Sequence, residues 1–235
     1  MQKNKSIIVS RYIPSECIKS LNDMGYTVFQ GSLLPNVDKP VAHHIDMQIV
    51  KCSDKAYLCA PCVYDHYLDA FENTTIELVK GHENPDDRYP HDVKYNIAIT
   101  GKYAIHNTSH TDKAFFELSC YSDINVKQGY SKCNICVVSE DAIITSDKGI
   151  ADTLSKYPID VLLISEGHIL LDGYNHGFIG GCSGLIENNL LAFAGDISIH
   201  PDYESIRDFC LNHGVDLVSL YDGDLVDIGT IVSVG

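Results

Sequence analysis

The residues best suited to chemistry are a cysteine and two histidines at the starts of predicted strands. Cys182 lies between Gly180-Gly181 and Ser183-Gly184. Glycines at such a position expose backbone N–H groups and let a ligand approach closely. A thiol paired with a histidine makes an activated nucleophile, so Cys182 is the candidate nucleophile and His44 or His91 the candidate base. The alternative interpretation is a small buried cysteine that packs beside glycines for space.

A carboxylate accompanies each histidine. Asp46 follows His44 by two residues, and Asp92 follows His91 directly. Paired carboxylates bind a planar cation in two-pronged fashion, so the sequence is compatible with a cationic ligand. For Asp92 the alternative is a solvated turn with a capping aspartate, because the turn-like residues 86–90 precede it.

A metal site is another use for these groups. Zinc would accept a mixed histidine and cysteine set. Four side chains could gather around one ion: His44, His91, Cys133 and Cys182. No zinc-finger spacing supports this, and we predict neither a metal nor a cofactor. Residues 133–136 read as a strand that directs its two cysteines to opposite faces, and the cysteines of residues 59–62 are interpreted as packing groups.

The elements that must position these groups repeat five times. In each repeat an apolar run ends near a glycine, and a helix-like segment precedes that run. The glycines are Gly31, Gly81, Gly129, Gly167 and Gly223, and the helices begin near Pro14, Val63, Thr111, Lys148 and Pro201. Two-part apolar stretches precede four of the helices, and the fifth is completed by the strand from Asp227 to Val234. The pattern predicts five ββαβ units, with an ordinary α/β sheet as the alternative.

No linker or low-complexity segment interrupts the series, so we predict a single domain over residues 1–235. Its units span approximately 44–81, 91–129, 131–167 and 178–223, with the fifth formed by 224–235 and 4–31. The loop at residues 172–177 is either a lid over the centre or a simple connection.

Composition limits the partners. The chain has 17 Lys+Arg against 32 Asp+Glu, a net charge of −15. Such a surface repels nucleic acid and anionic membranes, and it is compatible with a small cationic or amide-bearing ligand or with a basic partner. The 9 cysteines are an odd number, which favours reduced thiols and a cytoplasmic location.

Five ββαβ units with shared termini resemble the pentein fold, a five-bladed α/β propeller. This is the fold of guanidino-group-modifying enzymes (arginine deiminases, dimethylarginine hydrolases and amidinotransferases) and of the ribosome anti-association initiation factor. The resemblance implies that the first strand of each unit lines a central channel. His44-Ile45-Asp46 is similar to the His-x-Asp motif of the deiminases, whose histidine is a general acid and base and whose carboxylate holds the guanidinium.

The sequence departs from that family at the nucleophile. The family's cysteine belongs to the last strand, whereas the strand from Asp227 to Val234 contains none, and the His-x-Asp motif lies in the first unit. The resemblance implies a C–N hydrolase acting on a guanidino or amidine compound through a relocated thiol. The alternative is a non-catalytic binding or assembly factor. The predicted catalytic residues are Cys182, His44 and His91, and the predicted substrate-binding residues are Asp46, Asp92, Asn134 and Ser183.

Overall fold

The computed structural model describes residues 5–72 and 74–234, so the outermost ends of the predicted domain lie outside the described residues. Five three-stranded sheets are present in this part of the chain. In chain order, the strands are β1 Ser6–Val9, β2 Thr27–Gln30, β3 Ile49–Ser53, β4 Ala56–Cys59, β5 Glu77–Lys80, β6 Ala98–Thr100, β7 Tyr103–His106, β8 Ser122–Asn125, β9 Cys136–Val137, β10 Ala142–Thr145, β11 Asp160–Leu163, β12 Ser183–Glu187, β13 Leu190–Phe193, β14 Asp216–Ser219 and β15 Val232–Val234.

All five sheets share one topology. The middle strand pairs antiparallel with the first strand of its unit and parallel with the third. A helix connects the second and third strands, as a parallel connection requires. The principal helices are α1 Ser15–Asp23, α2 Tyr64–Phe71, α3 Lys113–Leu118, α5 Lys148–Leu154 and α6 Tyr203–Asn212, and a short α4 spans Ser131–Asn134.

The fifth unit joins the two ends of the chain. β15 pairs antiparallel with β1, with Ser6 opposite Val234, and β1 pairs parallel with β2. The predicted fold class, an α/β propeller of five ββαβ units closed by both termini, is confirmed. The predicted helix starts are also confirmed, since each helix begins within two residues of its expected position.

Amphipathic helices cover the sheets from outside. α1 buries Cys17 and Leu21, and α6 buries Ile206 and Cys210. Gly25 and Gly214 follow these two helices with φ of +93° and +71°, a left-handed conformation that ends a helix most easily at glycine. The middle strands are almost wholly buried because a helix lies against one face and the neighbouring units lie against the other.

Two local predictions need correction. Residues 133–136 do not form one strand, because Cys133 lies in α4 and only Cys136 begins β9. The second correction concerns the glycines predicted near the strand ends. In three units this glycine follows the last strand residue by four positions, as Gly129 follows Asn125. Ordinary apolar periodicity does not reveal the extra turn that connects a sheet to the next unit.

The first strands of the five units surround a central channel of about 840 Å³. Its walls include one apolar side chain from each of these strands: Val50, Ile99, Val137, Leu185 and Val232. Asp46 and Lys132 also line the channel, and both precede the first strands of their units. No helix within residues 5–72 and 74–234 is long and apolar enough to cross a membrane.

Candidate active site

The segments that precede the first strands meet at a buried group of polar side chains, which we call the polar cluster. Its members lie two to five residues before β3, β6, β9 or β15, so the fold brings together positions that are far apart in sequence. None is more than 3% exposed to solvent. The polar cluster consists of His44, Asp46, Asn96, Cys133 and Asp227.

Close backbone approaches hold the first and fifth units together at this point. His44 precedes a single 3-10 turn, Ile45–Met47, and the Asp46 N–H donates to the Gly229 carbonyl at 2.9 Å. Gly229 has a φ of +67°, and a side chain there would overlap His44. Gly181 leaves room for the Asp227 carboxylate in the same way. Glycine is therefore required at both positions.

The Cys133 thiol is the centre of the hydrogen bonds in the polar cluster. Its Sγ donates to Oδ2 of Asp46 at 2.9 Å and accepts from Nδ2 of Asn96 at 3.2 Å. The Asn96 Oδ1 in turn accepts from the Lys132 N–H at 2.7 Å, which fixes the amide orientation. Nδ1 of His44 lies 3.7 Å from Oδ1 of Asp227.

A thiol, an imidazole and a carboxylate are close enough here to act on one small group. One ligand-type atom from each of His44, Asp46 and Cys133 lies within 4.8 Å of the other two. Both ring nitrogens of His44 and Oδ1 of Asp46 are buried without a hydrogen-bond partner in the part of the chain that the structure describes. Such unpaired groups are costly, and they mark a place where a polar ligand would be stabilised.

Burial controls the charge of the polar cluster. It lowers the pKa of His44 to about 4 and raises the pKa of Asp227 to about 6. Burial also raises the pKa of Asp46, and it raises the pKa of the Cys133 thiol well above its usual value, with the Asp46 and Asp227 carboxylates adding to that shift. At neutral pH the imidazole is therefore neutral and the thiol protonated, in surroundings that favour an added cation.

A second cavity, of about 450 Å³, is lined by another buried carboxylate, that of Asp92, with one oxygen unpaired among the described residues. Asp92 is 4% exposed, its Oδ2 accepts from the Tyr130 hydroxyl at 2.5 Å, and its Oδ1 has no partner among the described residues. Tyr130 lies three residues before Cys133 in the chain. Across this cavity the Tyr174 hydroxyl donates to Oδ2 of Asp38 at 2.9 Å, so the loop at residues 172–177 contributes to its wall.

The other predicted site residues have different surroundings. Cys182 belongs to an apolar cluster, and its Sγ donates to the Ile179 carbonyl at 3.3 Å. The Ser183 hydroxyl donates a hydrogen bond to that same carbonyl at 2.7 Å, and Nδ2 of Asn134 donates to the Tyr130 carbonyl at 2.9 Å. His91 is exposed, and its ring lies against His110. The structure thus brings together His44 and Asp46 of the predicted set.

Sequence reasoning underestimated three members of the polar cluster. Asn96 belongs to no motif, Asp227 is simply the first residue of a predicted strand segment, and the sequence suggests Cys133 only as a metal ligand. The signal that finds them is their equivalent placement in the repeat. His44 and Asp227 each lie five residues before the first strand of their unit, and Asp46 and Cys133 each lie three residues before theirs.

A model of the family described as "Family of unknown function (DUF6873)" matches residues 8–232. The chain belongs to this family. No curated protein sequence matches it.

Solved structures resemble the chain in fold. SxtG, an amidinotransferase of the saxitoxin biosynthetic pathway of Microseira wollei, is 9% identical with a TM-score of 0.56, over 92% of this chain and 88% of that one. Agmatine deiminase of C. jejuni with substrate bound is 11% identical with a TM-score of 0.56, over 98% and 93%. These matches show that the chain has the pentein fold.

Proposed function

We propose that this protein modifies a small guanidino or amidine compound by C–N bond cleavage, with Cys133 as the nucleophile. The observation that carries the proposal is the mutual approach of Cys133, His44 and Asp46 within 4.8 Å, at the centre of a pentein propeller. An amidinotransferase and an agmatine deiminase share that fold. Cys133 replaces Cys182 in this role because Cys182 packs among apolar side chains and donates its thiol hydrogen to the Ile179 carbonyl.

The carboxylates select a cation. Asp46 and Asp227 lie near the thiol, and Oδ1 of Asp46 has no hydrogen-bond partner among the described residues, so it could accept from a guanidinium N–H. Burial raises the pKa of Cys133 and the two carboxylates add to that rise; a bound guanidinium would offset the carboxylates' part, so substrate binding itself favours the thiolate. Neutral compounds of the same shape would lack this effect. The positive charge of the substrate would therefore both favour its binding over neutral compounds and favour the Cys133 thiolate.

The first chemical step forms a carbon–sulfur bond. The Cys133 thiolate attacks the guanidinium carbon, and the electron pair of one C=N bond moves to nitrogen. His44, carrying the proton that the thiol has lost, gives it to the leaving nitrogen. The C–N bond then breaks, ammonia or an amine leaves, and an S-linked amidino group remains on Cys133.

The second step releases the enzyme. Neutral His44 takes a proton from an incoming water, whose oxygen adds to the amidino carbon. The C–S bond breaks and the thiolate leaves, which yields a urea-type product. An amine in place of water would give amidino transfer by the same sequence of bonds. Both His44 and Cys133 are 3% exposed or less, so substrate entry requires a local displacement of the residues around them.

The proposal is tested with a matched pair of electrophiles. 2-Chloroacetamidine is a planar cation that alkylates thiols, and 2-chloroacetamide is its neutral counterpart. We expect the amidine to label Cys133 at least roughly tenfold faster than the amide does, since charge-assisted hydrogen bonds to carboxylates contribute about 1.5–3 kcal/mol. Peptide mass spectrometry identifies the labelled cysteine, and folding is checked by circular dichroism.

Two variants complete the experiment. Cys133→Ser should remove the amidine-selective labelling, whereas Cys182→Ser should retain it. Release of ammonia or of a urea-type product from a panel of small guanidines then tests turnover. Labelling of Cys182 instead of Cys133 would overturn our assignment of the nucleophile. Equal and slow labelling by both reagents would support the alternative class, a pentein that binds a partner without catalysis.

A further inference from the structure

The polar cluster also has the donor set of a transition-metal site. It offers one imidazole nitrogen, one carboxylate oxygen and one sulfur, from His44, Asp46 and Cys133. Within residues 5–72 and 74–234 this is the one group of three such ligands whose atoms lie within 4.8 Å of one another. We propose that these three side chains bind a zinc-class divalent ion, with a fourth position left for water or a small ligand.

The donor atoms are available for a metal. Both His44 nitrogens and Oδ1 of Asp46 lack protein hydrogen-bond partners in the described part of the chain. The side chains of His44, Asp46 and Cys133 are nevertheless almost completely buried. Tetrahedral zinc with bonds of about 2.0–2.3 Å needs its ligand atoms roughly 3.3–3.8 Å apart. The three ligand atoms lie within 4.8 Å of one another, so the side chains would have to approach by up to about 1.0–1.5 Å at the widest pair to bind an ion.

Charge determines which class of ion fits. An imidazole and a thiolate favour zinc-class metals over calcium or magnesium, which prefer oxygen ligands throughout. With a carboxylate, a thiolate and a neutral imidazole, the ligands carry two negative charges, which balance a divalent cation in a buried site. On binding, the hydrogen bond from Cys133 to Asp46 is replaced by bonds to the metal, and the thiol proton leaves to solvent.

The surrounding residues match what such a site needs. Oδ1 of Asp227 lies 3.7 Å from Nδ1 of His44, so the ring can ligate through Nε2 while Nδ1 faces a carboxylate. Nδ2 of Asn96 lies 3.2 Å from the Cys133 sulfur and would donate to the thiolate. Partners of this kind orient metal ligands and raise affinity. Asp227 and Asn96 are positioning residues in this proposal.

The metal site and the proposed reaction are separable. A metal-bound Cys133 thiolate cannot attack a guanidinium carbon, so the metal-bound protein would be a protected, inactive form of the same site. The site itself requires no substrate and no turnover. It can therefore be tested by spectroscopy alone, whatever the outcome of the labelling experiment.

The test uses the full chain, freed of metal by dialysis against a chelator, and titrated with Co²⁺ and then with Zn²⁺. We expect a thiolate-to-cobalt charge-transfer band in the near ultraviolet, visible bands of four-coordinate cobalt, and loss of both when Zn²⁺ displaces cobalt. Cys133→Ser should abolish the charge-transfer band. Asp227→Asn should weaken cobalt affinity by about 10–100-fold, the usual effect of losing a carboxylate partner of a ligand histidine.

Matched controls separate this site from other thiols and surface histidines. Cys182→Ser and Cys120→Ser should leave the band unchanged. A measurement on the unaltered chain covers the case in which Cys133→Ser fails to fold: Zn²⁺ should slow maleimide labelling of Cys133 under mild denaturant without slowing that of Cys120. The proposal is overturned if no thiolate band forms in a large excess of Co²⁺, or if the band survives in folded Cys133→Ser.

Discussion

Cys133 and Cys182 are both buried and both precede the first strand of a unit, yet their hydrogen-bond partners differ. The Cys133 thiol donates a hydrogen bond to the Asp46 carboxylate and accepts one from the Asn96 amide, and a ring nitrogen of His44 lies within 4.8 Å. Cys182 lies in an apolar cluster with Cys136 and Phe193, and its thiol donates to the Ile179 carbonyl, with the Asp227 carboxylate near enough to add to the rise in its pKa that burial causes. The reactivity of a cysteine in this fold therefore depends on the side chains that neighbouring units place against it. The local sequence around the cysteine does not reveal those side chains.

The glycines around Cys182 illustrate the point. Gly181 creates space that the Asp227 carboxylate fills, and Gly180 lies against the backbone of α4 and the residue after it. The glycine-rich segment therefore packs closely against other elements of the protein, and these elements fill the space that a ligand would need. Around Cys133 the polar atoms remain unpaired instead.

The first prediction concerns the pH dependence of stability at His44. Its pKa is about 4 in the folded protein, below the ordinary value of 6.5. Between these values the unfolded chain binds a proton that the folded chain does not, so the His44 contribution falls as pH falls from 6.5 to 4. The difference between these two pKa values corresponds to roughly 3 kcal/mol. His44→Gln should gain that much stability relative to the unaltered protein over this range, measured by urea unfolding.

The difference between the two proteins is the necessary measurement, because neighbouring groups oppose His44. Asp227 has a raised pKa of about 6, so its contribution to stability rises as pH falls from 6 towards 3.8. Asp46 acts in the same direction, whereas His43, with a pKa of about 4, acts with His44. A difference curve that stays flat from pH 6.5 to 4 would show that His44 is not buried as the structure has it.

The second prediction tests whether the carboxylate of Asp46 selects a cation. Asp46→Asn should reduce the preference of Cys133 for 2-chloroacetamidine over 2-chloroacetamide by roughly 10–100-fold, the equivalent of one charge-assisted interaction. Asp222→Asn, an exposed aspartate with the same change of charge, is the control. If both variants lose the preference equally, overall charge and not the polar cluster attracts the amidine.

Much of the fold could be predicted from the sequence, because each ββαβ unit repeats a local apolar pattern. The closure of the fifth unit was predictable too, since the segment from Asp227 to Val234 reads as a strand without a neighbour in its own stretch of chain. The pairing of β15 with β1 bears this out. Periodicity failed at α4, where a single helical turn before a two-residue strand leaves too few residues to show a period.

The site was harder to predict, for a physical reason. His44 and Asp46 were found because they lie two residues apart in one motif. Cys133 meets Asp46 across 87 positions of sequence, and Asn96 meets Cys133 across 37. No local pattern encodes such contacts, and only the equivalent positions of the repeat indicate them. The polar residues that precede each first strand therefore have to be compared between units.

The third prediction compares the stability of the two cysteine sites. Cys182→Ser places a hydroxyl among apolar side chains and should lower the free energy of unfolding by about 1 kcal/mol. Cys133→Ser keeps a donor for Asp46 and should change the free energy less. Cys182→Ser should therefore be the less stable variant and keep the amidine labelling, whereas Cys133→Ser should be the more stable variant and lose it. If Cys133→Ser both loses the labelling and is the less stable variant, Cys133 also serves mainly to support the fold.

The smallest expected effect concerns access to the polar cluster. The Tyr174 hydroxyl bonds to Asp38 across the second cavity, and Gly173 lies against Pro40, so two loops meet there. Tyr174→Phe removes one hydrogen bond, a net loss of about 0.5–1.5 kcal/mol for the closed arrangement, and should speed amidine labelling of Cys133 about two- to tenfold. Labelling of Cys182 should stay constant, because its apolar cluster does not include these loops. An equal acceleration at both thiols would indicate general loosening, whereas acceleration at Cys133 alone would identify the loop at residues 172–177 as a cover over the site.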